Sequence, residues 1–103
     1  MIKDLNYLNF QDSIQSGITL VHYRAIWCNS CLSQEAVLSE IAKETKQELT
    51  IAKVDVNDNR VLAKEQKVHN IPTLILYKNG QEINRFSGIQ SKEIIISAIE
   101  KNL

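Results

Sequence analysis

The sequence predicts an α/β fold, in which helices cover both faces of a mixed central sheet. The first observation is three apolar runs rich in β-branched residues, at 18–23, 48–56 and 72–78, which are typical of strands buried on both faces. The second is helical periodicity in the segments between these runs. The third is the lack of any repeat, linker or low-complexity stretch, so the 103 residues are expected to form one domain, 1–103.

Two helices are expected in the first half of the chain. A short one covers 8–15, ahead of the strand with the sequence ITLVHY. Residues 28–48 contain neither glycine nor proline, which favours one long helix over 28–46 before the next strand. The positions of its buried face recur at the spacing i, i+3, i+4 and i+7, and they are Leu38, Ile41, Ala42 and Thr45.

The second half is expected to contain a short helix and an antiparallel hairpin. Residues 59–67 carry the helical pattern. The dipeptide Asn79-Gly80 is the strongest short-range hairpin signal, and it would join strands 73–78 and 81–87.

A last helix is expected to begin after Ser91, because serine followed by Glu93 is typical of a helix N-terminus. Its buried stripe is expected to contain Ile95, Ala98, Ile99 and Leu103. The complete order is then β-α-β-α-β-α-β-β-α, which places helices on both faces of the sheet.

The composition argues against nucleic acids and membranes as partners. Twelve basic and twelve acidic side chains give a formal net charge of zero, and the six aromatic residues (one Trp, three Tyr, two Phe) have no basic cluster beside them. No apolar run approaches the roughly 18 residues of a membrane span. The N-terminal segment MIKDLNYLNF lacks the apolar stretch of a secretory signal, so a cytoplasmic location is expected.

Both cysteines of the chain, Cys28 and Cys31, lie where a predicted strand meets a predicted helix. In a cytoplasmic protein such a pair is typical of catalysis or metal binding rather than of a structural disulfide. Residues three apart on a helix face the same way, so the two sulfurs can meet. The helix N-terminus is expected to lower the pKa of Cys28 and make it a thiolate nucleophile. Cys31, one turn further in, would stay protonated and resolve the mixed disulfide formed with a substrate.

The chain resembles the thioredoxin family along nearly its whole length. The segment TLVHYRAIWCNSC resembles the family's central strand and W-C-G-P-C active site, and TIAKVDVN resembles the strand that follows. The segment VHNIPTLILYKNGQEINRFSG resembles its proline loop, hairpin and closing glycine turn. The resemblance implies a thioredoxin fold, with a mixed five-stranded sheet flanked by about four helices.

The resemblance also implies a function. The protein is expected to reduce disulfides in protein substrates by thiol–disulfide exchange through the Cys28/Cys31 couple, and to be reduced in turn by a thioredoxin reductase. Apart from the redox-active disulfide Cys28–Cys31, no cofactor and no metal are expected. The chain is expected to act as a monomer.

Four further residues match the family's substrate-binding positions. Trp27 matches the surface tryptophan before the nucleophile. Pro72 matches a proline whose preceding peptide bond is cis, and Ile71 would offer its backbone to a bound substrate strand. Gly88 matches a glycine that lets the substrate approach the backbone closely.

The chain departs from the family motif between the cysteines. Asn29-Ser30 replaces Gly-Pro, so glycine's conformational freedom and proline's fixed φ are both absent. In this family the dipeptide tunes the redox potential. Asn29 and Ser30 are therefore expected to make the couple somewhat more oxidising than that of a typical thioredoxin.

A second departure lies behind the cysteines, where His22 replaces the family's buried aspartate. A neutral imidazole can take the proton of the resolving thiol, and burial would keep it neutral. Lys53 matches the lysine that lies near that aspartate and would further disfavour the imidazolium. Arg24, which replaces a tryptophan, is expected on the same face of the strand as His22, either adding positive potential near the nucleophile or pairing with an acidic neighbour such as Asp55. The alternative for His22 is a buried strand residue without a kinetic role.

Three other functions compete with a disulfide reductase. A zinc site would need four ligands, and only Cys28, Cys31, His22 and His69 are available. A binding module with the same fold would usually have lost a cysteine, whereas this chain keeps both. A more oxidising disulfide oxidase or isomerase would fit an exported protein.

Overall fold

The computed structural model describes residues 2–45 and 48–103. Its strands are β1 (Ile2–Leu5), β2 (Ile18–Arg24), β3 (Leu49–Asp55), β4 (Thr73–Lys78) and β5 (Gln81–Ser87). Its helices are α1 (Phe10–Ile14), α2 (Asn29–Glu44), α3 (Arg60–Glu65) and α4 (Lys92–Lys101). The order of elements agrees with the order predicted from the sequence.

The five strands form one mixed sheet in the order β1-β3-β2-β4-β5. β1 and β2 both pair with β3 in parallel, whereas β4 runs antiparallel to β2 and β5 antiparallel to β4. The parallel pairs require crossover connections, which α1 and α2 help to supply. All seven residues of the central strand β2 are buried, which explains its nearly continuous apolar sequence.

Two hydrophobic cores lie on opposite faces of the sheet. Val21 and Tyr23 of β2 belong to the core that packs against α1 and α3. Ile18 and Leu20 belong to the core that packs against α2 and α4. Because side chains alternate along a strand, the even-numbered positions of β2 all face α2, the helix that carries Cys31.

The long helix predicted over 28–46 is α2, and residue 46 lies outside the described residues. Of its predicted buried face, Leu38 and Ile41 are buried, whereas Ala42 and Thr45 are half-buried. Thr45 is the C-cap, with extended backbone angles, so it no longer follows the helical spacing.

The last helix is confirmed as α4, with one difference in its buried stripe. Ile95, Ala98 and Ile99 are buried as predicted, but the prediction for Leu103 is wrong. The helix ends at Lys101, so Leu103 lies beyond its last turn and is 53% exposed. Among the helices of the described residues, none has the length and apolar character needed to cross a membrane.

The hairpin between β4 and β5 is also confirmed. Asn79 and Gly80 form its turn with φ values of 51° and 86°, the two left-handed conformations that the tightest hairpin loops require. The Asn79 backbone N–H donates to the Gly17 carbonyl, and the Gly17 N–H donates to the Asn79 side chain, each over 2.9 Å. The turn is thereby tied to the start of β2.

Candidate active site

The two cysteines lie at the beginning of α2, shortly after β2 ends at Arg24. Cys28 is the N-cap of the helix, with extended backbone angles, and its Sγ accepts a hydrogen bond of 3.1 Å from the Cys31 N–H. Cys28 and Cys31 form a disulfide, with their Cα atoms 5.2 Å apart. Cys28 is 7% exposed, whereas Cys31 is fully buried in a cluster with Ala25, against which Val56 and Ile71 pack.

This difference in exposure gives the two sulfurs different chemistry. Of the two cysteines only Cys28 keeps any exposed area, so it is the one that a substrate disulfide can approach. After reduction, the helix dipole and the Cys31 N–H favour a negative charge on that sulfur, which is the form that attacks disulfides. The buried Cys31 is then placed to attack Cys28 from within the helix.

Ser30 makes a direct contact with the outer cysteine. Its Oγ lies 3.4 Å from the Cys28 Sγ. Because a disulfide sulfur carries no proton, the hydroxyl must be the donor. Asn29 and Ser30 are both exposed, so the contact lies at the surface of the site.

Three separate segments carry the predicted substrate-binding residues, which we call the rim. Trp27, directly before Cys28, is 67% exposed. Ile71 packs against the cysteine cluster, and the Ile71–Pro72 peptide bond is cis, as the resemblance implied. Gly88 donates its N–H to the Pro72 carbonyl over 2.8 Å and has a φ of +84°. Trp27 is therefore next to Cys28 in the chain, Ile71 packs against the cysteines, and Gly88 is hydrogen-bonded to Pro72.

Gln34 is a site residue that was not singled out from the sequence. It is 1% exposed, and its side chain makes two hydrogen bonds to the backbone of Gln90, of 3.2 Å and 2.7 Å. These bonds connect the active-site helix to the segment just after Gly88. The sequence did contain a signal that Gln34 is buried, because Gln34, Leu38 and Ile41 follow the i, i+4, i+7 spacing of the buried helix face.

His22 lies in β2, on the face toward α2, and is fully buried. Neither of its ring nitrogens has a hydrogen-bond partner among the described residues. Burial, followed by the positive charges of Arg24 and Lys53, lowers the pKa of His22 from 6.5 to about 4. Lys53 is its neighbour across the strand pair in β3. At neutral pH the imidazole is therefore uncharged.

Arg24 and Lys53 are joined by a carboxylate that was not singled out from the sequence. Arg24 Nη1 lies 3.9 Å from the Asp55 carboxylate, the pairing considered from the sequence, but Arg24 Nε lies closer to Glu35 Oε1, at 3.5 Å. The other oxygen of Glu35 lies 3.6 Å from Lys53 Nζ. We refer to His22, Arg24, Glu35, Lys53 and Asp55 as the polar cluster. Glu35 follows Cys31 by four residues, which places both on the same face of the helix. This spacing was the one feature of the sequence that could have identified Glu35 as a site residue.

The four residues considered as zinc ligands are not grouped into a metal site. His69 is exposed. Within residues 2–45 and 48–103, no three His, Cys, Asp or Glu side chains are grouped so that they could hold a metal ion.

Comparisons with known proteins agree with this geometry. The family model described as "Thioredoxin" matches residues 1–101. A thioredoxin of Staphylococcus saprophyticus is 41% identical over 95 residues, which cover 92% of this chain and 91% of that protein. A thioredoxin of Chlamydia trachomatis is 38% identical over 102 residues, 99% of each chain. The solved structure of a point mutant of a thioredoxin from Halobacterium salinarum has a TM-score of 0.88 at 27% identity, covering 96% of this chain and 88% of that one.

Proposed function

The chain belongs to the thioredoxin family and is a thiol–disulfide oxidoreductase, and we propose that it works as a reductase of protein disulfides without any bound cofactor. The observation that carries the proposal is the pair of unequal sulfurs at the N-terminus of α2. Cys28 reaches the surface at the helix cap, while Cys31 is fully buried behind it. The couple itself carries the two electrons.

The reaction would proceed in two exchanges. The Cys28 thiolate attacks one sulfur of the substrate disulfide, forming a mixed disulfide and releasing the other substrate sulfur as a thiolate. The Cys31 sulfur then attacks Cys28 Sγ, which forms the Cys28–Cys31 disulfide and releases the second substrate thiolate. The substrate disulfide gains two electrons, the protein loses two, and the Cys31 proton must leave the buried side of the site.

For that proton, we propose His22 as the first acceptor, kept uncharged by burial and then by the positive charges of Arg24 and Lys53. The imidazole is uncharged at neutral pH and its ring nitrogens have no hydrogen-bond partners in the described part of the chain, so a lone pair is free to accept a proton. Its low basicity means that it would hold the proton only briefly, while the sulfur of Cys31 forms its new bond.

Substrate binding is proposed for the rim of Trp27, Ile71, Pro72 and Gly88. The exposed indole offers apolar area beside Cys28, and Ile71 can offer its backbone to an extended substrate segment. The absence of a side chain at Gly88 leaves room for that segment near Pro72. The partners that fit are proteins with accessible disulfides, together with a thioredoxin reductase that restores the dithiol. A monomer acting in the cytoplasm is part of the same proposal.

Turnover of insulin disulfides with dithiothreitol as electron donor tests the reductase. The wild-type protein, treated with a metal chelator, should precipitate insulin, and Cys28→Ser should be inactive. Cys31→Ser should still attack but should accumulate the mixed disulfide, because nothing resolves it. If Cys28→Ser were as active as the wild type, the proposed attack by Cys28 would be excluded.

A further inference from the structure

Gln34 connects the active-site helix to residues 88–90, which we call the glycine segment because Gly88 opens it. One side-chain amide makes both hydrogen bonds of this contact. Its Oε1 accepts from the Gln90 backbone N–H at 2.7 Å, and its Nε2 donates to the Gln90 carbonyl at 3.2 Å. The amide thus pairs with the main chain of Gln90 as a neighbouring strand would. Gln34 is 1% exposed, so its side of the contact is shielded from water.

The glycine segment is held at both of its ends. At the first end, the Gly88 N–H donates to the Pro72 carbonyl over 2.8 Å. At the other end, Gln34 binds both main-chain groups of Gln90. Ile89 lies between these two attachments and is 51% exposed. The segment therefore has a fixed main chain and presents an apolar side chain to solvent.

These contacts form a closed path that begins and ends at the cysteines. Gln34 follows Cys31 by three residues on the same face of α2. From Gln34 the path runs through the glycine segment to Pro72. Ile71, the neighbour of Pro72, packs against the cluster that contains both cysteines. The position of the glycine segment relative to the sulfurs is therefore determined from two sides, through Ile71-Pro72 and through Gln34.

The two hydrogen bonds of Gln34 end on a connecting segment rather than on another helix. Gln90 precedes Ser91, the N-cap of α4. Burying a glutamine costs more side-chain conformational entropy than burying a leucine, the residue one turn further along the same buried face at Leu38. What the amide adds over an apolar side chain is a fixed position for the glycine segment.

We propose that Gln34 is a positioning residue, which holds the glycine segment where a bound protein substrate presents its disulfide to Cys28. The inference rests on the proposed function, in which Gly88 belongs to the substrate-binding surface. A segment that is already ordered loses little conformational freedom when the substrate binds. Gln34 touches no substrate atom and takes no part in the exchange. It therefore affects protein substrates, which contact the glycine segment, and not small disulfides, which need only the sulfur of Cys28.

The primary test compares Gln34→Met with Gln66→Met, since methionine is unbranched and of similar length but has no amide. Gln66 is the matched control, because its half-buried side chain accepts a hydrogen bond of 2.8 Å from the Tyr77 hydroxyl. Gln34→Met should raise the KM for insulin at least about fivefold and leave kcat within about twofold of the wild type. The rate constant for the reaction of the reduced variant with hydroxyethyl disulfide should be unchanged. Gln66→Met should match the wild type in all three measurements.

Amide hydrogen exchange reports directly on the order of the glycine segment. In the wild type the N–H groups of Gly88 and Gln90 are hydrogen-bonded and should be protected. Gln34→Met should speed the exchange of both, while the amide of Leu38 in the buried part of α2 stays protected. If Gly88 kept its wild-type protection in this variant, the bond to Pro72 alone would hold the segment, and the proposal would be wrong.

The kinetic results separate a positioning role from a purely structural one. An unchanged KM for insulin in Gln34→Met would overturn the proposal, and so would equal losses with insulin and with hydroxyethyl disulfide, which would place the effect on the cysteines. If Gln34→Met did not fold, Gln34→Asn would replace it, because its amide is one methylene too short to make both bonds, and the same rise in KM is expected. The proposed function fails separately, if Cys28→Ser reduces insulin as well as the wild type does.

Discussion

Ser30 Oγ lies 3.4 Å from Cys28 Sγ, within hydrogen-bonding distance of the outer cysteine's sulfur. The hydroxyl can rotate to donate to whichever form of that sulfur is present. A hydrogen bond to a charged acceptor is stronger than one to a neutral acceptor, so the contact favours the thiolate of the reduced protein over the disulfide. A proline at this position offers no donor. The structure thus supplies a mechanism by which this dipeptide can make the couple more oxidising.

Removal of the hydroxyl should therefore make the couple more reducing. In Ser30→Ala the reduced form loses a charge-assisted hydrogen bond, and a loss of about 1.4 kcal/mol corresponds to about 30 mV for two electrons. Equilibration with glutathione measures the potential. Asn29→Ala is the matched control, because Asn29 is also exposed between the cysteines and carries no hydroxyl, and it should shift the potential less. A potential in Ser30→Ala that stays within a few millivolts of the wild type would contradict the mechanism.

Replacing Asn29-Ser30 by Gly-Pro should shift the potential in the same direction and further, by tens of millivolts. The double replacement removes the hydroxyl donor and also restores the family's backbone constraints. The same glutathione equilibration gives the value. A shift toward more oxidising potentials would show that the dipeptide does not tune this couple in the expected way.

The buried imidazole should make the stability of the oxidised protein depend on pH in a defined window. The unfolded chain binds a proton at His22 below about pH 6.5, whereas the folded chain binds it only below about pH 4. The His22 contribution is therefore fully present above pH 6.5 and is lost as the pH falls toward 4, by about 3 kcal/mol in total. Arg24 and Lys53 are the charged groups that act on this imidazole.

The variant His22→Leu isolates that contribution, because the surrounding charges stay in place. Urea unfolding at pH 7 should show the variant at least as stable as the wild type, since two buried nitrogens without hydrogen bonds have been removed. At pH 4.5 the wild type should have lost more stability than the variant. Parallel stability profiles between pH 7 and 4.5 would mean that His22 does not titrate in this way.

Gly88→Ala should weaken substrate binding more than it weakens the fold. A Cβ at Gly88 meets nothing within 4 Å, so the cost comes from its φ of +84° and should be about 1–2 kcal/mol. Gly17→Ala is the matched control, because it has a φ of +72°, equally open surroundings and a position away from the cysteines. Both variants should lose similar stability, but only Gly88→Ala should raise the KM for insulin. Equal KM values in the two variants would remove Gly88 from the substrate surface.

Much of this protein was determined by local features of its sequence. Apolar runs predict the central strands because a strand buried on both faces needs apolar side chains at nearly every position. Asn79-Gly80 predicts the hairpin because few other residues tolerate two successive left-handed conformations. Cys28 and Cys31 predict the redox site for two reasons. Their spacing brings the two sulfurs together, and their position at the start of a helix makes the first one more accessible and more reactive than the second. These signals act over a few residues, so the sequence displays them directly.

The arrangement behind the cysteines was decided only by the tertiary structure. Whether Arg24 pairs with Asp55 alone or also with Glu35 depends on how α2 lies across β2, and no local pattern contains that geometry. The same holds for Gln34, whose partner Gln90 lies 56 residues away along the chain. Ion pairs and side-chain hydrogen bonds form between groups that folding brings together, so their partners become visible only once the elements are packed.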